Sequence, residues 1–119
     1  MSSKYIQSKE ALIITKDNGK DQIRLDYAKL RRAVLTLRAI NHSLRKQLIC
    51  MIDEKRKMTV TEIYNALKIE QPVVSQHLGI LRKADIVVTD RNGKFIFYSI
   101  NKKRIAEIAD LVEELAKQI

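Results

Sequence analysis

Residues 71–84 read QPVVSQHLGILRKA. Val74, Leu78 and Leu81 fall at i, i+4 and i+7, the spacing of a helix with one buried stripe. Pro72, the single proline of the chain, sits in the first turn, where a missing N–H does no harm. Gln71, Val73, Ser75, Gln76, Gly79 and Lys83 are then left wholly or partly outward. From Gln71 to His77 there is no acid, and amide and hydroxyl groups stand where a small protein usually carries charge. Glutamine both donates and accepts, which suits N6 and N7 of adenine; serine reaches a base edge or a phosphate, and a carboxylate would be repelled there.

Working outward, Thr59 followed by Glu62 is a capping box, so a helix begins near Val60 with Ile63, Ala66 and Leu67 inward. It is short, and "KIEQ" separates it from the proline-led helix. Earlier, Leu30, Val34 and Leu37 predict a first helix over about 26–40. Asn41 and Ser43 are capping residues, and Leu44, Leu48, Met51 and Ile52 make a second helix ending near "DEKRK".

After Ala84 the period changes. "IVVTDRNGKFIFYSI" holds two β-rich runs around Asn92-Gly93, a strong signal for a tight hairpin. A two-residue Asn-Gly loop would pair Arg91 with Lys94, Val88 with Phe97 and Val87 with Tyr98, standing two cations together at the tip. From Asn101 onward, Ile105, Ile108, Val112, Leu115 and Ile119 step by 3, 4, 3 and 4, the spacing of a narrow helix seam. Two heptads are too few for a free coiled coil, so this seam needs either the core or another chain. The expected fold is mainly α with a small β-hairpin, in the order α-α-α-α-β-β-α of a winged helix-turn-helix domain over 26–119. Residues 1–25 are an extension, either a small hairpin about Asn18-Gly19 or a mobile basic arm.

Composition narrows the class. In 119 residues the net charge is +9, with seven Lys/Arg against two Asp/Glu over 71–104 and an acidic tail after Arg104. Such a surface attracts polyanions. No apolar run is long enough to cross a bilayer and the start lacks the layout of a secretion signal, so a cytoplasmic protein without a membrane partner is expected. Cys50 is the sole cysteine, which excludes an intramolecular disulfide; it is expected to be a packed small side chain. No nucleophile with its base, paired carboxylates, phosphate loop or ligand cluster is visible, so neither an enzyme nor a cofactor is expected.

Three stretches, "LRAINHSLRKQLICMI", "VTEIYNALKIEQPVVSQHLGILRKADIV" and "DRNGKFIFYSI", together resemble the ArsR/SmtB family of bacterial winged-helix repressors over about 27–119. The "QPVVSQHLGIL" helix is similar to the family's serine-x-histidine-leucine pattern, and the wing follows it. The resemblance implies a homodimer formed by the first and last helices, bound to an imperfect palindrome in promoter DNA and released by a signal. On that pattern Gln71, Pro72, Val73, Ser75, Gln76 and His77 form the recognition surface. Arg91, Asn92 and Lys94 of the wing, with Arg82 and Lys83, hold phosphate or minor groove. The dimer would be lined by Leu30, Val34, Leu37, Ile105, Ile108, Val112, Leu115 and Ile119. Two departures remove the family's familiar metal sites: "VTEIYNAL" has no cysteine pair and the last helix has no histidine. Asp85 replaces the usual glycine, at a point where Asp tolerates left-handed geometry. The sequence names no inducing ligand, and a winged-helix protein-interaction module is the rival reading.

Overall fold

The computed structural model describes residues 5–7 and 9–119, so expectations for residues 1–4 and 8 of the extension lie outside the described residues. The chain divides into two units, one ending at Thr36 and the other spanning Leu37–Ile119. In the first, β1 (Tyr5–Gln7), β2 (Ala11–Thr15) and β3 (Gln22–Asp26) form an antiparallel sheet in chain order. Ala11 stands opposite Asp26 and Thr15 opposite Gln22, so residues 11–26 make a hairpin. Its loop is held by Asn18, whose Oδ1 accepts the N–H groups of Lys20 at 2.9 Å and Asp21 at 3.0 Å, while Gly19 supplies a φ of +72°. Strand β3 runs directly into α1 (Tyr27–Ile40), because Asp26 Oδ1 accepts the N–H of Lys29 at 3.0 Å.

The second unit contains the end of α1, then α2 (Ser43–Lys55), β4 (Met58–Thr59), α3 (Val60–Leu67), α4 (Gln71–Lys83), β5 (Val87–Asn92), β6 (Phe95–Ile100) and α5 (Lys102–Ala116). This is a mainly helical winged-helix domain. Helices α2, α3 and α5 start where a side chain takes up an orphan N–H. His42 Nδ1 accepts from Leu44 at 3.2 Å, Thr59 and Glu62 form the complete reciprocal box, and Asn101 Oδ1 accepts from Arg104 at 3.2 Å. The core is aliphatic: Ala39, Leu48, Ile52, Met58, Ile63, Val74, Leu78, Leu81, Ile86, Val87 and Ile108. Asp85 adopts a φ of +61°, which turns the chain from α4 into the wing.

Three expectations need correction, and one element was not expected. Ala66 is exposed, and half-buried Tyr64 packs against the core instead. Ile108 is 8% exposed and belongs to the unit's own core, with Ile105 and Leu37 packed against it. Those three were expected between chains, and a 3-4 stepping looks the same whichever surface fills it. The hairpin register differs too. Asn92 pairs with Phe95, Arg91 with Ile96, Val88 with Ser99 and Val87 with Ile100, which leaves Gly93-Lys94 as the two-residue loop and dissolves the Arg91–Lys94 pair. Only Gly93 has positive φ there, at +64°, the arrangement of a turn with glycine first rather than one needing positive φ at both positions. A displacement of two residues leaves every side chain on its expected face. Lastly, β4 was not foreseen; it adds Met58 opposite Tyr98 and Thr59 opposite Phe97, giving the sheet order β4-β6-β5.

Gly79 lies within α4 and Gly93 at positive φ, each with no atom within 4 Å of an added Cβ. Gly79→Ala should raise stability by about 0.5–1 kcal/mol through helix propensity, and Gly93→Ala should lower it by about 1–2 kcal/mol through backbone strain. Urea unfolding of the two variants checks the opposite signs.

Candidate nucleic-acid interface

Helices α3 and α4 are joined by Lys68, in left-handed conformation at φ +56°, and by extended Glu70, which gives α4 no side-chain cap. Val74, Leu78 and Leu81 are fully buried, which rolls Gln71, Pro72, Val73, Ser75 and Gln76 into solvent. The side chains of Gln71, Ser75 and Gln76 hydrogen bond to none of the described residues. Arg82 and Lys83 are exposed at the far end of the helix.

His77 is placed differently from its neighbours. It is half-buried, its ring lies 4.9 Å from that of His42, and its Nδ1 is 3.1 Å from Nη1 of Arg45. A guanidinium only donates, so Nδ1 accepts and the neutral ring carries its proton on Nε2. Burial, reinforced by His42 and then Arg45, holds the imidazole below its ordinary value of 6.5. Sequence reasoning missed Arg45 entirely. Its partners lie 6, 7 and 32 residues away, beyond the reach of any helical or strand period.

The wing exposes Arg91, Asn92 and Lys94. Lys94 Nζ stands 5.4 Å from the centre of the Phe95 ring, and Lys57, also missed, stands 4.7 Å over Phe97. Part of the "KKR" run at 102–104 has partners within the chain. Lys102 pairs with Asp53 at 3.5 Å, and Arg104 donates to the Ala84 carbonyl at 3.2 Å and approaches Glu107 at 3.8 Å. Lys103 remains exposed.

Among the described residues no three His, Cys, Asp or Glu side chains cluster to hold a metal, and no helix is long and apolar enough to cross a membrane. Cys50, expected to be packed, is exposed on α2. On the helices expected to pair, Leu30, Val34, Val112 and Leu115 are exposed, as is Ile119 beyond the end of α5, and so are Leu35 and Leu111, which the spacing did not single out.

A short helix, a turn, a helix exposing polar non-acidic groups and a basic hairpin wing define a winged helix-turn-helix transcription regulator. Known proteins agree. The family described as "Bacterial regulatory protein, arsR family" matches residues 42–89. An HTH-type transcriptional regulator of Methanocaldococcus jannaschii is 37% identical over 87 residues, covering 73% of this chain and 98% of its own length. The biofilm growth-associated repressor of Xylella fastidiosa is 36% identical over 74 residues, covering 62% of this chain and 64% of the repressor. The crystal structure of the transcriptional repressor PagR of Bacillus anthracis is similar with a TM-score of 0.59 at 30% identity, over 73% of this chain and 99% of that one. The chain belongs to the ArsR family.

The unfolded chain takes up the His77 proton near pH 6.5 and the folded chain only at lower pH. Its contribution to stability is therefore complete above pH 6.5 and is lost as pH falls through the depressed value. The urea midpoint should decline between about pH 7 and pH 5, and decline less in His77→Leu.

Proposed function

We propose that this protein is a homodimeric repressor that binds a palindromic site in double-stranded promoter DNA. The observation that carries the reading is the outer surface of α4: Gln71, Ser75 and Gln76 exposed, without internal hydrogen bonds among the described residues and without an acid from Gln71 to His77. Amides at the start of a recognition helix suit adenine edges in a major groove about 12 Å wide. Val73 and Pro72 add an apolar contact of the kind a thymine methyl accepts. Arg91, Asn92 and Lys94 on the wing, with Arg82 and Lys83, hold the backbone or a narrow minor groove. Pairing is assigned to the exposed aliphatic side chains of α1 and α5, of which Leu115 is 61% exposed. Apolar residues left in water at helical spacing on two helices suit a second copy of the same chain.

Selection from a random duplex pool should return a palindrome with half-sites about one helical turn apart. On that site Gln76→Ala should cost about 1–3 kcal/mol with little loss on random DNA, whereas Lys94→Ala should weaken both and flatten the salt slope. Leu115→Glu should convert the dimer to monomer in sedimentation and weaken operator binding with it. Failure to select any duplex, with binding no tighter than the net charge gives nonspecifically, would turn the reading towards a protein-interaction module.

A further inference from the structure

We propose that Arg45 is a positioning residue that fixes the recognition helix α4 against the last turn of α1, and so sets the half-site spacing the dimer accepts. This rests on the reading of the protein as a dimer on DNA.

Arg45 lies in the first turn of α2, half-buried, and spends three donors in three directions. Nε donates to the Ala39 carbonyl at 2.6 Å, Nη2 to the Arg38 carbonyl at 3.1 Å, and Nη1 to His77 Nδ1 at 3.1 Å. The two carbonyls are among the last four of α1, which have no partner within the helix and carry the negative end of its dipole. One guanidinium therefore caps α1 and holds a side chain of α4 at the same time. The apolar part of this junction is small: of the last turn of α1 Ala39 is buried, with Leu37 and Ile40 only partly buried against the core. Aliphatic contacts tolerate sliding, but a planar fork of directed, charge-assisted hydrogen bonds does not.

The tether also sits where it matters for recognition. His77 follows Gln76 directly and lies two residues after Ser75, so the bond is made on the same turn as the outward amide and hydroxyl. With α1 contributing to the pairing surface, a shift of α4 against the end of α1 occurs in both protomers at once. The distance between the two recognition helices then changes, and that distance has to match the helical repeat of the duplex. Lysine in place of Arg45 keeps the positive charge at the end of α1 but offers a single nitrogen, so it separates the geometric role from the electrostatic one.

The test uses the full chain and a set of duplexes carrying the selected half-sites with the spacer shortened or lengthened by one and two base pairs, read by fluorescence anisotropy. The wild type should prefer one spacer by about tenfold over its neighbours, and Arg45→Lys should flatten that profile to within about threefold. His77→Leu, which keeps an apolar body and removes the acceptor, should flatten it similarly. The double variant should be no flatter than either single one, since both act through one bond. Circular dichroism melts identify a variant that does not fold; where Arg45→Lys fails to fold, His77→Leu alone decides. A profile lowered by the same factor at every spacer, or additive effects in the double variant, overturns the positioning role while leaving the DNA reading intact. A wild type that selects no site at all overturns the DNA reading itself, and this proposal falls with it.

Discussion

The exclusion of Val74, Leu78 and Leu81 from water, all three on one stripe of α4, is the constraint on which the rest of the structure depends. Each side chain contributes about 1.5–3 kcal/mol by burial, so the roll of this helix about its axis is not negotiable. The stripe closes a core shared with α2, α3 and the first wing strand through Leu48, Ile52, Ile63 and Val87. With that face committed, the outward direction of Gln71, Ser75 and Gln76 follows from a rotation of about 100° per residue. The polar, acid-free face is displayed here as a by-product of packing. No separate device is needed to expose it.

That logic explains what the sequence made legible. Periodicity and caps are local, so the Thr59–Glu62 box, the turn at Lys68 and the buried stripe of α4 could all be read within a few residues of each other. What could not be read depends on where distant parts of the chain meet. The two residues of β4 have no pattern of their own and exist because Met58 and Thr59 find the free edge of β6. The wing register turned on which of two turn geometries Gly93 would serve, and Asn92-Gly93 is compatible with either position of the glycine. Ile108 and Leu115 belong to one arithmetic series, yet the first is enclosed and the second stands in water, because a seam pattern does not say whose surface fills it. Arg45 was invisible for the plainest reason: nothing about an arginine in a helix of mixed polarity announces a carbonyl six residues back and an imidazole 32 residues on.

Net charge, likewise, is a poor guide to binding charge. Arg45, Lys102 and Arg104 are cations with internal partners, to carbonyls, an imidazole or carboxylates. The ammonium groups of Lys57 and Lys94 lie over phenyl rings of the wing. Of the seven Lys/Arg between residues 71 and 104, five, Arg82, Lys83, Arg91, Lys94 and Lys103, are exposed without a hydrogen-bonding or ionic partner among the described residues. Since counterion release scales with the phosphates neutralised, the salt dependence of binding follows that shorter roll of side chains rather than the total charge.

The joint between α4 and the wing is sewn from both sides. Arg104 Nε holds the Ala84 carbonyl, Asn101 Nδ2 holds the Asp85 carbonyl at 3.1 Å, and the Asn101 N–H donates to the Ile86 carbonyl at 2.9 Å. Three successive carbonyls of the bend are thus gripped by the start of α5. The wing is consequently no free flap: its base and the root of the final helix form one solid knuckle, so that neither can tilt without carrying the other.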